Sequence, residues 1–309
     1  MVKRFVVTGG AGFIGGHLVD FLIQNGHSVT VIDDLSTGYR SNFKEPARIE
    51  RFIEARVEDV DLHVVGAIHG VFHLAAQASV PLSISAFGYS SSTNVLSAIN
   101  VIDYCSSTAT PLVYASSSAV YGNLPFGDES MGVDLLSPYA VDKLAMEMYC
   151  DIAHKLQGLR SYGLRFFNVY GPRQDPSNPY AGVISTFASR ILQNQPIIIN
   201  GGYQTRDFIY VNDVVRGLWA SYLYLMDNSV SVVSNLLTGQ STSIDELADL
   251  LMFLVENDVR KIYQALPDGD PEKSLGSMKL MQSLLNMEEF TELKNGLSTV
   301  LAWMKNSNG

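Results

Sequence analysis

Tyr139 and Lys143 stand four residues apart in Tyr139-Ala140-Val141-Asp142-Lys143, a spacing that sets a phenol and an ammonium on one face of a helix. A free phenol titrates near pH ~10, too high for a base at neutral pH. A neighbouring ammonium, together with the positive ring of an oxidised nicotinamide, would stabilise the phenolate and lower that value. The pair is thus a candidate general base. On its own, Tyr-x-x-x-Lys is common on helix surfaces, and its weight here comes from what precedes it. Leu112-Val113-Tyr114-Ala115-Ser116-Ser117-Ser118 reads as a strand whose end carries hydroxyls. A serine there can hold a substrate hydroxyl and share its proton with the phenol. At least one of the three is expected to bond its own backbone as a turn residue.

The element that must position this pair opens the chain. Phe5, Val6 and Val7 read as a short apolar strand, and Gly10-x-Gly12-x-x-Gly15 then starts a helix with Leu18, Phe21 and Leu22 on one face. Glycines in such a turn allow the tight bend, the approach of backbone to a pyrophosphate and the packing of helix on strand. The helix N-terminus offers N–H groups and partial positive charge to phosphates. A second strand, Ser28 to Ile32, leads to Asp33, about twenty residues on, where a carboxylate can bond a ribose diol. That charge would repel a 2′-phosphate, which favours NAD over NADP. The polar loop Asp33-Asp34-Leu35-Ser36-Thr37-Gly38 is placed to wrap the adenosine ribose.

Further strands are expected at Ile49 to Val57, at Val71 to Ala76 and at Ser161 to Phe167. Helices are expected at Ser83 to Ser107, with Val95, Ile99 and Ile102 on one side, and at Tyr139 to Leu156, with Pro138 near its start. This alternation predicts an α/β chain with a Rossmann-type doubly wound parallel sheet, ligands lying beyond the carboxyl ends of the strands. Residues 1–167 are expected to form the dinucleotide domain, with part of 205–235 returning to it. Residues 168–309 are expected to form mainly a smaller C-terminal substrate-binding lobe. There the pattern loosens, with Pro172, Pro176 and Pro179 in one loop, helices at Val183 to Gln193, Asp213 to Leu225 and Ser243 to Glu256, and a glycine/proline-rich loop at 266–276.

The totals limit the partners. A net charge of −10 supplies no basic stripe for a nucleic acid, and no apolar run reaches membrane-spanning length. Cys105 and Cys150 fall in helical patterns and suggest no disulfide framework. Met1-Val2-Lys3-Arg4 runs directly into the first strand, which makes a cytoplasmic protein the default expectation. No metal-ligating pattern is evident.

Beyond the glycine turn stand HLAAQASVP at 73–81, YASSSAVYG at 114–122, SPYAVDK at 137–143, LRFFNVYGPRQDP at 164–176 and QTRDFIYVNDV at 204–214. Taken together these resemble the extended short-chain dehydrogenase/reductase family and, within it, the UDP-hexose 4-epimerases. The resemblance covers most of the chain. It implies Tyr139 as catalytic base, Lys143 on the nicotinamide ribose, and Ser117 near the sugar O4. It further implies that NAD is held by Gly9, Gly12, Phe13, Ile14, Gly15, the Asp33, Asp34, Ser36, Thr37 and Gly38 loop, Arg56, Val57, Leu74, Ala75, Ala76, Gln77, Ala115, Ser116 and Phe167. A UDP-sugar would meet Ser79, Asn168, Val183, Arg206 and Ser274 besides Ser117 and Tyr139.

Related dehydratases and decarboxylases place acidic residues just before the VYG, where this chain has Ser118 and Ala119, and this favours epimerisation over elimination. Ser274 falls where pocket size is gated, and a small side chain leaves room for an N-acetyl group. Arg56, Pro267 and Phe166 depart from the family pattern, Pro267 standing in place of a diphosphate-binding arginine, with Lys273 nearby as a substitute cation. A UDP-glucuronate 4-epimerase is the near alternative, and a non-catalytic NAD-binding sensor or scaffold the distant one. Helices near 85–106 and 139–157 resemble those that pair in family homodimers, so their outer faces are expected to be apolar.

Overall fold

A computed structural model describes residues 1–176, 182–266 and 271–307. From the N-terminus the strands β1 (Arg4–Thr8), β2 (Ser28–Asp33), β3 (Arg51–Glu54), β4 (Gly70–His73), β5 (Leu112–Ser117) and β6 (Ser161–Phe166) are laid down in turn. The chain then leaves for β7 (Asn168–Tyr170), β8 (Ile197–Asn200), β9 (Thr205–Arg206) and β10 (Phe208–Tyr210), and returns as β11 (Ser231–Leu236). Seven strands form one sheet in the order β11-β6-β5-β4-β1-β2-β3. Every pairing in it is parallel. The order reverses beside β1, the point at which this architecture binds its ligand.

The helices are α1 (Phe13–Gln24), α2 (Val80–Ser85), α3 (Phe87–Ser91), α4 (Ser97–Ser107), α5 (Pro138–Gln157), α6 (Val183–Leu192), α7 (Val211–Asp227), α8 (Ile244–Val255), α9 (Lys279–Leu285) and α10 (Leu293–Ser307). α1 and α7 cover one face of the sheet, with Leu18, Leu22, Leu218 and Leu225 buried against Phe5, Val7 and Phe72. Burial of each such side chain contributes about 1.5–3 kcal/mol. On the other face α4 and α5 bury Val101, Ile102, Met146 and Cys150 against Val6, Val71 and Tyr114. A further cluster joins α6, α8 and α10 to β8 and β10. Three short strands, β12 (Thr242–Ser243), β9 and β14 (Lys273–Ser274), lie side by side, and β13 (Lys261–Gln264) pairs with β8.

Some boundaries differ from expectation. The third strand is only Arg51–Glu54, because Val57–Asp59 turns off as a 3-10 helix. The expected helix at Ser83 to Ser107 is broken into the end of α2, α3, a π turn at Ser92–Leu96, and α4. Nor do Ile99 and Ile102 share a buried side: Ile102 is buried while Ile99 is exposed. The π turn adds a residue to its coil and so shifts the phase of what precedes it. Both cysteines are free and buried. Among the described residues no helix is long and apolar enough to cross a membrane, and no cluster of potential metal ligands is present.

Candidate active site

β1 delivers its chain into the glycine turn at the centre of the sheet. Gly9 is at φ +66°, and a Cβ there would lie 2.6 Å from the Ala75 backbone nitrogen. A Cβ on Gly15 would overlap the Gly9 carbonyl. These two glycines let the turn, the first coil of α1 and the segment after β4 touch. Gly12 caps α1 without a side-chain hydrogen bond, so no side chain of the cap occupies the first-turn N–H groups. That cradle suits a pyrophosphate.

Asp33 ties this turn to the end of β2. Its Oδ2 accepts the Ala11 N–H at 2.9 Å and its Oδ1 the Leu35 N–H at 2.8 Å. Burial pushes its pKa up, while the two backbone donors hold it down. A ribose diol would therefore use the remaining lone pairs of a carboxylate already fixed in place. The Ala11 carbonyl in turn accepts from the Tyr39 N–H and the Asn42 Nδ2, which draws the loop through Ser36, Thr37 and Gly38 against the turn. Asp34 bonds Ser36 through both its N–H and its hydroxyl. Farther along, Arg56 is ion-paired with Glu58 and donates to Thr93 at 3.1 Å. The Val57 carbonyl accepts from Asn100 at 2.7 Å.

After β4, the Leu74 N–H donates to the Thr8 carbonyl and the Ala75 N–H to the Thr8 hydroxyl. Gln77 is gripped by Asn94, whose Oδ1 accepts the Gln77 N–H at 2.8 Å and whose Nδ2 donates to the Gln77 carbonyl and to Asp142. Asn94 lies in the π turn. Sequence reasoning did not single it out, although the helix-poor run Ser91-Ser92-Thr93-Asn94 was a signal. Ser79 caps α2 by accepting the Leu82 N–H at 3.1 Å, so its hydroxyl oxygen already holds one donor.

α5 starts at Pro138, with Ser137 as its cap. Tyr139, Lys143 and Glu147 follow at intervals of four, on one face. Each reaches the end of β5. The Ser117 hydroxyl faces the Tyr139 phenol and pulls its pKa down, the Lys143 Nζ donates to the Ala115 carbonyl at 2.8 Å, and the Ser116 hydroxyl donates to Glu147. Lys143 also lies 5.7 Å from the centre of the Tyr139 ring. Ser117 accepts the Ala119 N–H as well, the turn role expected of one of the three serines.

Two expectations need correction. Burial raises the Tyr139 pKa rather than lowering it, with Ser117 pulling the other way. Lys143 for its part is directed at the Ala115 carbonyl, and burial lowers its own pKa to about 8. Ser116, expected against the cofactor, is 2% exposed and faces away: adjacent strand residues alternate, so Ser116 and Ser117 point to opposite sides of β5. Its partner Glu147 takes Arg165 through Nε at 2.9 Å and Nη2 at 2.6 Å. Arg165 donates on to Tyr121, which donates to Asn235. His73 sits beneath, bonded to Thr8 at 2.8 Å, its pKa lowered to about 3 by burial. It is therefore neutral.

Beyond the carboxyl ends of the strands lies a cleft of about 280 Å³ lined by Asn168, Val183, Phe187, Ile198, Asn200, Gln204, Arg206 and Ile244. Three expected substrate residues, Asn168, Val183 and Arg206, meet there. Ser274 is joined to them: it stands opposite Arg206 in the β14–β9 pair, and Asn168 donates to its hydroxyl at 3.4 Å. Arg206 is braced on the Pro271 carbonyl at 2.8 Å. Gln204, unremarked in the sequence although it heads the QTRDF motif, folds onto the Asn200 carbonyl and Gly202 N–H and shapes the cleft wall. Phe167 is buried against Tyr121 and the position of Gly276. Lys273 is exposed on β14, and Pro267 lies outside the described residues.

Residues 5–229 match the family described as NAD dependent epimerase/dehydratase. The chain is 38% identical to a putative UDP-glucose 4-epimerase of Methanocaldococcus jannaschii, over 98% of this chain and 99% of that one. Among solved structures, it aligns with UDP-N-acetylglucosamine 4-epimerase from Methanobrevibacter ruminantium M1, in complex with UDP-N-acetylmuramic acid, at a TM-score of 0.93. Identity there is 34%, and 99% of each chain is covered. UDP-glucuronic acid decarboxylase 1 of Xenopus tropicalis is 32% identical over 98% of this chain and 72% of its own length.

Proposed function

The chain belongs to the NAD dependent epimerase/dehydratase family, and from that premise we propose that it inverts C4 of UDP-hexoses, acting on UDP-GlcNAc/UDP-GalNAc and on UDP-Glc/UDP-Gal. The observation that carries this reading is the Ser117–Tyr139 contact at the end of β5, followed by Ser118 and Ala119, which have no carboxyl to offer for elimination or decarboxylation.

NAD, when bound, supplies an acceptor and then a donor for the C4 hydride. The glycine turn would hold its pyrophosphate, Asp33 and the loop to Gly38 its adenosine ribose, and Lys143 its nicotinamide ribose. Tyr139 takes the O4 proton and later returns it. Ser117, facing the same phenol, keeps O4 in line and relays the proton. Asn168, Val183 and Arg206 hold the UDP, so that the 4-keto sugar can turn over without leaving. Ser274, small and beside Asn168, leaves space for a C2 N-acetyl group. The complex of the Methanobrevibacter relative with an N-acetylated UDP-sugar supports that choice.

A second copy of the chain is the proposed partner. Val141, Met148, Ile152 and Leu156 form an exposed apolar stripe along α5, next to exposed Ile84, Phe87 and Leu96. Stripes of this extent are covered in soluble proteins.

Proton NMR of the anomeric region, with UDP-GlcNAc, UDP-Glc and UDP-GlcA offered separately, tests the reaction. Growth of the galacto epimer, lost in Tyr139→Phe, is the expected result. No conversion of any of the three, by a protein that binds NAD, would overturn it, whereas conversion of UDP-GlcA alone would select the uronate epimerase.

A further inference from the structure

Tyr139, Lys143 and Glu147, at intervals of four on α5, reach the carboxyl end of β5, and the reaction as proposed uses only the first two. Glu147 is the third, one turn beyond Lys143 and 7% exposed. Its carboxylate accepts the Ser116 hydroxyl on one side and is held bidentately by Arg165 of β6 on the other. Ser116 lies between Ala115, whose carbonyl holds Lys143, and Ser117, whose hydroxyl faces Tyr139. Any slip of β5 along α5 would therefore move both contacts together.

We propose that Glu147 is a positioning residue for the reaction: its carboxylate, fixed by Arg165 and holding Ser116, seats the end of β5 under Tyr139 and beside Lys143. The inference rests on the reading of Tyr139 and Lys143 as the reacting pair. The groups facing Lys143 can be named element by element. α5 itself contributes Asp142 and Glu147, both of which favour the ammonium, and the phenol of Tyr139. β4 contributes His73, which burial keeps neutral. β6 contributes Arg165, engaged by Glu147. Tyr114 of β5 and Cys150 of α5 border Glu147 and are neutral, because burial pushes both upward, Cys150 to about 12. Against this burial, which drives Lys143 toward the free amine, Asp142 and Glu147 are the two opposing charges, and Asp142 is bonded to Asn94.

The test compares Glu147→Gln, which keeps the shape and removes the charge, with Glu147→Asp, which keeps the charge. In NAD-loaded protein labelled with 13Cε-lysine, the Lys143 signal, assigned with Lys143→Arg, is titrated between pH 6 and 11. Glu147→Gln should lower its midpoint by about one pH unit and shift the alkaline limb of kcat by the same amount, whereas Glu147→Asp should leave the midpoint in place. Should the single variant not fold, the charge-balanced Glu147→Gln/Arg165→Gln carries the same test with the same direction of shift. An unmoved midpoint, or kcat lost equally at every pH, would overturn the proposal and leave Glu147 a packing residue. The titration needs no turnover. A shifted midpoint in a protein that converts no UDP-hexose would therefore sink the proposed function and leave the Glu147–Lys143 coupling standing.

Discussion

Arg173 donates to the Asp20 carboxylate at 2.7 Å and to the Asn42 carbonyl at 2.6 Å, so the loop that follows β7 is pinned onto α1 and onto the loop that wraps the glycine turn. The pair is 12% and 7% exposed, and Arg173 adopts a left-handed backbone, φ +69°, to reach it. Removing one partner of a buried ion pair leaves the other charge uncompensated. Arg173→Ala is therefore expected to cost about 3–5 kcal/mol in urea unfolding, whereas Arg48→Ala, from the half-exposed Arg48–Glu45 pair, should cost less than about 1 kcal/mol.

Tyr139→Phe removes the proposed proton-transfer group and nothing that anchors α5. Its kcat should fall by about 10²–10⁴, read from anomeric proton signals. Ser117→Ala should lose less, since water can take the place of its hydroxyl. Equal rates for wild type and Tyr139→Phe would remove the phenol from the mechanism.

His73 gives a pH signature to stability. Its pKa is lowered from 6.5 to about 3 in the fold, so between these values the unfolded chain binds the extra proton. Stability from keeping this ring neutral is present above pH 6.5 and is lost as pH falls toward 3, by up to about 1.4 kcal/mol per pH unit. His73→Asn should show a shallower acid limb in chemical denaturation across that window. An unchanged slope would assign the acid limb to other groups.

The α5 stripe leads to a further expectation. Met148 is 63% and Ile152 50% exposed. A charge in an apolar contact between two copies would be desolvated without a partner. Met148→Glu should convert a dimer to a monomer in light scattering at micromolar concentration while leaving secondary structure intact by circular dichroism. A wild-type chain that is itself monomeric at that concentration would refute the second copy.

Ser274→Tyr should fill the space beside Asn168. Conversion of UDP-GlcNAc is expected to fall at least tenfold relative to UDP-Glc, since overpacking and clash act only on the larger sugar. Parallel losses for both sugars would show that Ser274 does not select at C2.

Short-range features were legible in the sequence, and long-range partners were not. The glycine turn, Asp33, and the Tyr139–Lys143 spacing are local: Asp33 bonds the turn at Ala11, and Lys143 lies beside the Tyr139 ring. The opposite facing of Ser116 and Ser117 was available from strand alternation alone, had it been applied. Glu147 could be set on the Tyr139 face by counting fours, but its bond to Arg165 depends on β6 lying beside β5, which no local pattern encodes. Lys143 was expected to act on the phenol and on a nicotinamide ribose. The Ala115 carbonyl that competes for it is a backbone group, which sequence does not display. Ile99 misled because the surface it shares with Leu96 is apolar yet uncovered within one chain.

The return of the chain as β11 has a consequence during synthesis. All six residues of β6 are buried in the finished sheet, and β11 covers its outer edge. On the ribosome β6 emerges long before Ser231, and β7 to β10 with α6 and α7 come between them. Until Leu236 has left the exit tunnel, the β6 edge, with Tyr162, Leu164 and Phe166, has no strand beside it. Chains stalled or cleaved in that interval expose a template for strand addition, and they are the form of this protein most in need of a chaperone.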